Sequence, residues 1–351
     1  MEMNMGEPCH VVTANDVVTA LDSITHGRVV RSGRDISGNN PFVVTKSSHL
    51  PGKAVTEMPG LVWGDPCKVV RKIGVGMTLT ENVIELAAAM GMDALLLHHP
   101  LADGASSGGV TLRNYMDLYD MALFELHEAF HGLHPGISWL HGHKVRHVQI
   151  AYGGVPGNIM FVGTPLEGVR TLGDVCRRLG SCMGSVEHHE VLRAVREIRK
   201  CPCIEDSCVA GNPLILEGTP ESPLKEILHI FPHTGFSAEN LESALKEHPG
   251  VNTVIASISR MREASPLVEK ARELGLYILC GNTHAMEIYE NGMPLAFALK
   301  SILPALDVRI FQEKTICCPL ESFGSSGLRE YARTMADTYL LARCKLQVQR
   351  G

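Results

Sequence analysis

The chain has 351 residues, 45% hydrophobic and 20% charged, the make-up of an ordinary globular protein able to bury one large core or two modest ones. A formal charge of −6 leaves no electrostatic footprint for nucleic acid or an anionic membrane, and no apolar run approaches a membrane span. The N-terminus has no basic stretch followed by an apolar one, so no signal peptide is expected and a cytoplasmic location follows by default.

The first helix is expected over 13–21, with Val17, Val18 and Leu21 as its apolar stripe. Residues 26–60 are rich in Gly, Ser, Asn and Pro and predict a long loop with short extended pieces. Val69, Val70, Ile73 and Val75 then suggest a strand. Thr78 and Glu81 have capping-box spacing, Val83, Ile84, Ala87 and Ala88 share a helical face, and Gly91 sits where a left-handed cap would close that helix. The unbroken apolar run at 94–97 predicts a parallel strand buried on both faces, with His98 and His99 at its carboxyl end, the edge where open α/β sheets bind ligands.

After a small-residue loop at 102–109, Leu112, Tyr115, Met116 and Tyr119 mark a helix, and 121–126 a strand ending at His127. Residues 155–250 look like a separate α+β block. Leu172, Val175, Cys176 and Leu179 give it one helix and Val191, Leu192, Val195 and Ile198 another, followed by a strand at 227–231 and a helix at 237–247. Ser265-Pro266 opens a helix that Gly275 closes, 276–280 is extended, and His284 follows. Helices are expected at 291–303 and 328–344. Leu328, Tyr331, Ala332, Met335 and Tyr339 form a stripe on the last, read as packing on the core.

Three separate apolar strands thus deliver histidine at the same kind of position, and convergence is expected if they run parallel in one sheet. Adjacent histidines on extended backbone point to opposite sides, so His98 and His99 suit two neighbouring metals better than one. His127-Glu128-Ala129-Phe130-His131 also spells the zinc-protease string His-Glu-x-x-His, but Pro135 leaves little room for the helix that this chemistry needs. His141, His143 and His147 alternate and read as exposed strand or loop residues. The 11 cysteines are scattered and odd in number, as reduced thiols would be. Cys201, Cys203 and Cys208 could hold a soft metal but lack paired Cys-x-x-Cys spacing, and Cys317-Cys318 is a second tight pair.

The order Gly-Leu-Val-Trp-Gly at 60–64, strand, helix, strand, His98-His99-Pro100, then His127-x-x-x-His131, a mid-chain insertion and Thr-His284-Ala-Met-Glu287 resembles the Nif-three-like family, the proteins labelled type 2 GTP cyclohydrolase I-like. The resemblance spans roughly 55–145 and 250–315. It implies an α/β fold, a mixed sheet flanked by helices and interrupted by a smaller α+β insertion, with 1–154 and 251–351 forming the metal-site domain and 155–250 the insertion. It further implies a dinuclear site holding two divalent ions (zinc, iron, manganese or nickel) on His98, His99, His131, His284 and Glu287, with His127 and Glu290 as secondary candidates. His131 stands where many members carry a bridging aspartate, which leaves Glu287 as the one acid able to bridge. The implied activity is hydrolysis of a small molecule by metal-activated water, in a homo-oligomer, commonly a hexamer. The alternatives are a non-enzymatic metal-binding or partner-binding scaffold and, behind it, the zinc protease.

Overall fold

The computed structural model describes residues 11–31, 39–47, 54–101 and 112–341. The loop expected at 102–109 and the end of the helix expected at 328–344 lie outside them. The chain divides into two compact units, Met1–Gly184 with Gly211–Glu313, and Ser185–Ala210 with Lys314–Gly351.

The first unit is mixed α/β. Its first described helix is Ala14–Ile24, capped by Thr13, whose side chain accepts the Asp16 amide while Asp16 reaches back. A hairpin of β1 (Val44–Ser47) and β2 (Ala54–Glu57) follows. Then come β3 (Gly60–Trp63), β4 (Lys72–Gly76), β5 (Ala94–Leu97) and β6 (Ala122–Glu125), which with the later β14 make a five-stranded sheet. Next are β7 (His143–Gln149) and β8 (Met160–Pro165), β9 (Glu205–Asp206) in the second unit, and β10 (Leu214–Glu217), β11 (Glu226–Ile230), β12 (Val251–Ile258) and β13 (Tyr277–Thr283). β14 (Asp307–Ile310) and, in the second unit, β15 (Ile316–Cys317) complete the strands.

The five-stranded sheet has the order β14-β4-β5-β6-β3, with β14, β4, β5 and β6 parallel and β3 antiparallel at the edge. Every residue of β5 is buried, as the apolar run predicts. Ala94 and Leu96 face a core shared with helices Ala14–Ile24 and Met293–Ile302, whereas Leu95 and Leu97 face one shared with helix Glu81–Ala89. Leu96→Ala would cost about 2–5 kcal/mol, the range for truncating a fully buried leucine. A Cβ on Gly74 would meet the Phe311 ring, so only glycine fits where that ring lies over β4.

The six-stranded sheet has the order β10-β13-β12-β11-β8-β7, parallel only across β11, β12 and β13. It draws strands from 143 to 283 and so runs across both expected boundaries, at 154 and at 250. Backbone pairing rather than composition decides where this sheet ends. One of its faces packs on helices Ala238–Glu247 and Pro266–Glu273 through Leu228, Ile230, Val254 and Ile278. Among the described residues, no helix is long and apolar enough to cross a membrane.

The second unit is small. Helix Ser185–Ile198 and the β9–β15 pair close over Leu192, Cys201 and Ile204. The expected last helix is observed at Ser326–Met335, followed by one wider turn. Its stripe is not packed on a core as expected: Leu328, Tyr331 and Tyr339 are exposed. A 3.6-residue repeat reports which residues share a face, not whether anything covers it.

Candidate metal centre

β5 and β6 lie side by side and parallel, so the histidines after them emerge at one rim. The backbone ladder continues past β5 through the His98 and His99 amides, which donate to the Gly76 and Met77 carbonyls at 3.2 and 2.8 Å. His284 reaches the same place from β13, which belongs to the other sheet. The expectation that convergence needs one shared sheet is therefore corrected: strand ends of two sheets in the same unit supply the cluster.

Two groups of donors emerge, each with its ligand atoms within 4.8 Å of one another: His98, His127 and His131, and His99, His284 and Glu287. Both join expected residues, and His127 takes a full place in the first. Glu290 enters neither. It is wholly buried, with a carboxylate oxygen 3.6 Å from His141 Nδ1. No cysteine enters any such group among the described residues, and no disulfide joins any of the nine cysteines there.

The ring orientations are set from outside. His98 Nδ1 donates to the Leu126 carbonyl at 2.8 Å, His127 Nδ1 to Glu57 Oε2 at 2.9 Å and His131 Nδ1 to Glu128 Oε2 at 3.2 Å, while His99 Nδ1 bonds the Thr78 hydroxyl at 2.8 Å. In all four rings, Nε2 is the nitrogen left facing inward. Thr78 is thus not the helix cap expected of it. Thr80, directly before Glu81, accepts the Val83 amide and caps that helix. His284 is oriented by a hydrogen bond with the backbone of Ile258. Ile258 has φ of 65°, a left-handed conformation that a β-branched residue adopts only under strain, at a cost of roughly 1–3 kcal/mol.

Glu287 presents one oxygen to each group. Oε2 lies 3.0 Å from His99 Nε2 and Oε1 lies 3.5 Å from His98 Nε2. Asn291, one turn on, donates to Oε1 at 3.0 Å and fixes the carboxylate. Burial alone would raise the Glu287 pKa, but the His99 hydrogen bond and the surrounding imidazoles outweigh it and hold it well below the ordinary value. Burial drives the His98 pKa far below 6.5, which keeps it neutral with a lone pair to give.

Glu57, His127 and Glu128 form a third group, but a side chain already satisfies its acids. Lys46, on β1, pairs with Glu57 Oε1 at 2.8 Å and with Glu128 Oε1. Burial raises Glu128, yet the hydrogen bonds with His131 and Lys46 win and bring its pKa down to about 2. Glu128 is therefore engaged on both oxygens. Residues 127–131 form tight turns, Phe130 N to His127 O and His131 N to Glu128 O, rather than the helix of a zinc protease. Nothing local in the sequence links Lys46 or Glu57 to His127, so no spacing marks them as part of the site.

His141 and His143, expected to be exposed, are wholly buried. Period-2 alternation is the same for a strand covered on one face as for one that is bare. His143 Nε2 bonds His229 Nδ1 at 3.0 Å, and His229 Nε2 bonds the Ser257 hydroxyl at 2.7 Å. His141 packs onto Gly281, where any Cβ would collide with its ring.

The centre opens on a cavity of about 680 Å³, lined by His99, His127, His131, His284 and Glu287 and also by Phe161, Phe231, Ile159 and Ile258. His233, which no motif in the sequence marks, also lines it, with its ring 4.9 Å from that of His284.

Residues 46–107 match the model of the family described as Duf34/NIF3 (NGG1p interacting factor 3). No curated protein matches the chain by sequence. Among solved structures, reduced HcgD from Methanocaldococcus jannaschii is 15% identical, with 86% of this chain and 99% of that one aligned at a TM-score of 0.52. TTHA1606 from Thermus thermophilus is 13% identical over 87% and 99%, at 0.52. The protein ybgI, described as of unknown function, is 16% identical over 86% and 98%, at 0.51. At these identities the likeness is one of fold.

Proposed function

We propose that this Nif3-like chain is a metal-dependent hydrolase that holds two divalent ions, one on His98, His127 and His131 and the other on His99, His284 and Glu287. The observation that carries this reading is the set of outward Nδ1 hydrogen bonds on His98, His99, His127 and His131. Metal-binding histidines are held in this way, their second nitrogen tied to a carbonyl, hydroxyl or carboxylate, and the donor set fits a divalent metal. Nitrogen donors with one carboxylate suit zinc, iron, manganese or nickel. The ions would supply Lewis acidity and bring the pKa of a water towards neutrality.

The chain's own residues do the rest. Glu287 offers one oxygen to each group, so it can tie them together in the role that His131 cannot fill. Asn291 holds that carboxylate in place. Lys46 balances the charge of Glu57 and Glu128 behind the imidazoles. Phe161 and Phe231 give the cavity an apolar lining that would disfavour bulk water near the centre. Elemental analysis of protein purified without chelator tests the reading. About two divalent ions per chain are expected, as for two-metal sites. A protein that stays free of metal, or keeps its metal after His98→Ala with His284→Ala, ends it.

A further inference from the structure

The apolar part of the cavity lining offers little to a charged molecule. Ile137, Ile159, Phe161, Phe231 and Ile258 form one continuous apolar cluster, each at most 9% exposed, and all five line the cavity. The Phe161 and Phe231 rings meet edge to face, with centroids 6.0 Å apart. These residues and the imidazoles line the same cavity of about 680 Å³, ample for a ring-sized molecule. Among the described residues lining the cavity, Lys46 is the only lysine or arginine, and both Glu57 and Glu128 already hold its ammonium. A polyphosphate tail needs several cationic or amide donors, and pressing it against phenylalanine would strip its water without return.

We propose that the cavity selects a substrate made of an apolar, ring-sized body and one short metal-seeking group, such as an aryl amide or ester, in preference to a polyanion. The proposal rests on the metal-centre reading for its polar end and on the Phe161–Phe231 wall for its apolar end.

Three hydroxamates that share one chelating group test it by calorimetry on the metal-loaded protein: benzohydroxamate, acetohydroxamate and phosphonoacetohydroxamate. Burying a phenyl ring should make benzohydroxamate bind about 10- to 100-fold tighter than acetohydroxamate. Phosphonoacetohydroxamate should bind no tighter than acetohydroxamate. Phe161→Leu and Phe231→Leu should each shrink the phenyl preference severalfold, and the comparison on the native chain stands if either variant fails to fold. Equal affinity of the first two compounds, or tightest binding of the phosphonate, overturns the proposal. A second measurement does not need the metals: 4-fluorobenzamide should show fluorine line broadening on adding metal-free protein, and less with Phe231→Leu. No broadening overturns the proposal even when the centre loads normally. Broadening with a protein that takes up no metal would instead sink the hydrolase reading alone.

Discussion

His98 gives its Nδ1 proton to the carbonyl oxygen of Leu126 at 2.8 Å, and the two residues sit just beyond the ends of neighbouring parallel strands. A carbonyl can only accept, so a neutral His98 must present a bare Nε2 to the interior. His98→Ala is expected to empty the first donor group and to leave about half the metal, while the double variant with His284→Ala keeps less than about a tenth. Mass-spectrometric metal analysis of both, alongside circular dichroism to check folding, decides this.

Thr78 and Thr80 lie two residues apart and do different work. Thr80→Ala removes a helix cap and should lower stability by about 1 kcal/mol with metal content unchanged. Thr78→Val removes the hydroxyl behind His99 and should weaken metal binding by about tenfold or more, with little change in unfolding midpoint. Competition with a coloured chelator, run beside urea unfolding, separates the two. A Thr78→Val protein with native metal affinity would count against the His99 assignment.

Lys46→Met leaves Glu57 and Glu128, both buried, without their shared cation. Stability should drop by about 1–3 kcal/mol, and metal affinity by about 10- to 100-fold because both orienting carboxylates lose their hold. Lys46→Arg should recover most of each, since it restores the charge. Chelator competition and denaturant titration on both variants read the effect.

Burial lowers the pKa of His141 to about 4 and that of His143 to about 3, with His141's charge adding to the second. Both folded values lie below the ordinary histidine value, so the unfolded chain takes up more protons once pH falls below about 6.5. Stability is therefore whole above that pH and is lost as pH falls from there towards the folded values. His143→Phe cannot take up a proton. The stability gap between native and variant should narrow with acid, by about 1.4 kcal/mol per pH unit in the middle of that window. Denaturant unfolding of metal-free protein at stepped pH checks it. A constant gap would mean that His143 titrates alike in both states.

The parts of the fold and site that could be read in advance are those whose cause is local. Four apolar residues ahead of His98 marked a buried strand, Gly91 takes a left-handed φ of 64° as its position suggested, and Ser265 caps the helix it precedes. What escaped depends on partners distant in the chain. Lys46 and Glu128 are 82 residues apart, and Glu57 and His127 are 70 apart, with no repeat or spacing to connect them. The six-stranded sheet runs across the expected boundaries at 154 and 250 because β7 lies ahead of the first and β13 well after the second, and only hydrogen bonding between strands joins them.

Ile258 belongs at once to the hydrophobic side of the chamber and, through its peptide, to the arm that steadies His284. Any replacement that relaxes its twisted backbone also alters the surface a guest molecule would meet. Directed evolution at this codon would therefore be expected to move ligand preference and ion retention together, a pleiotropy built into one residue.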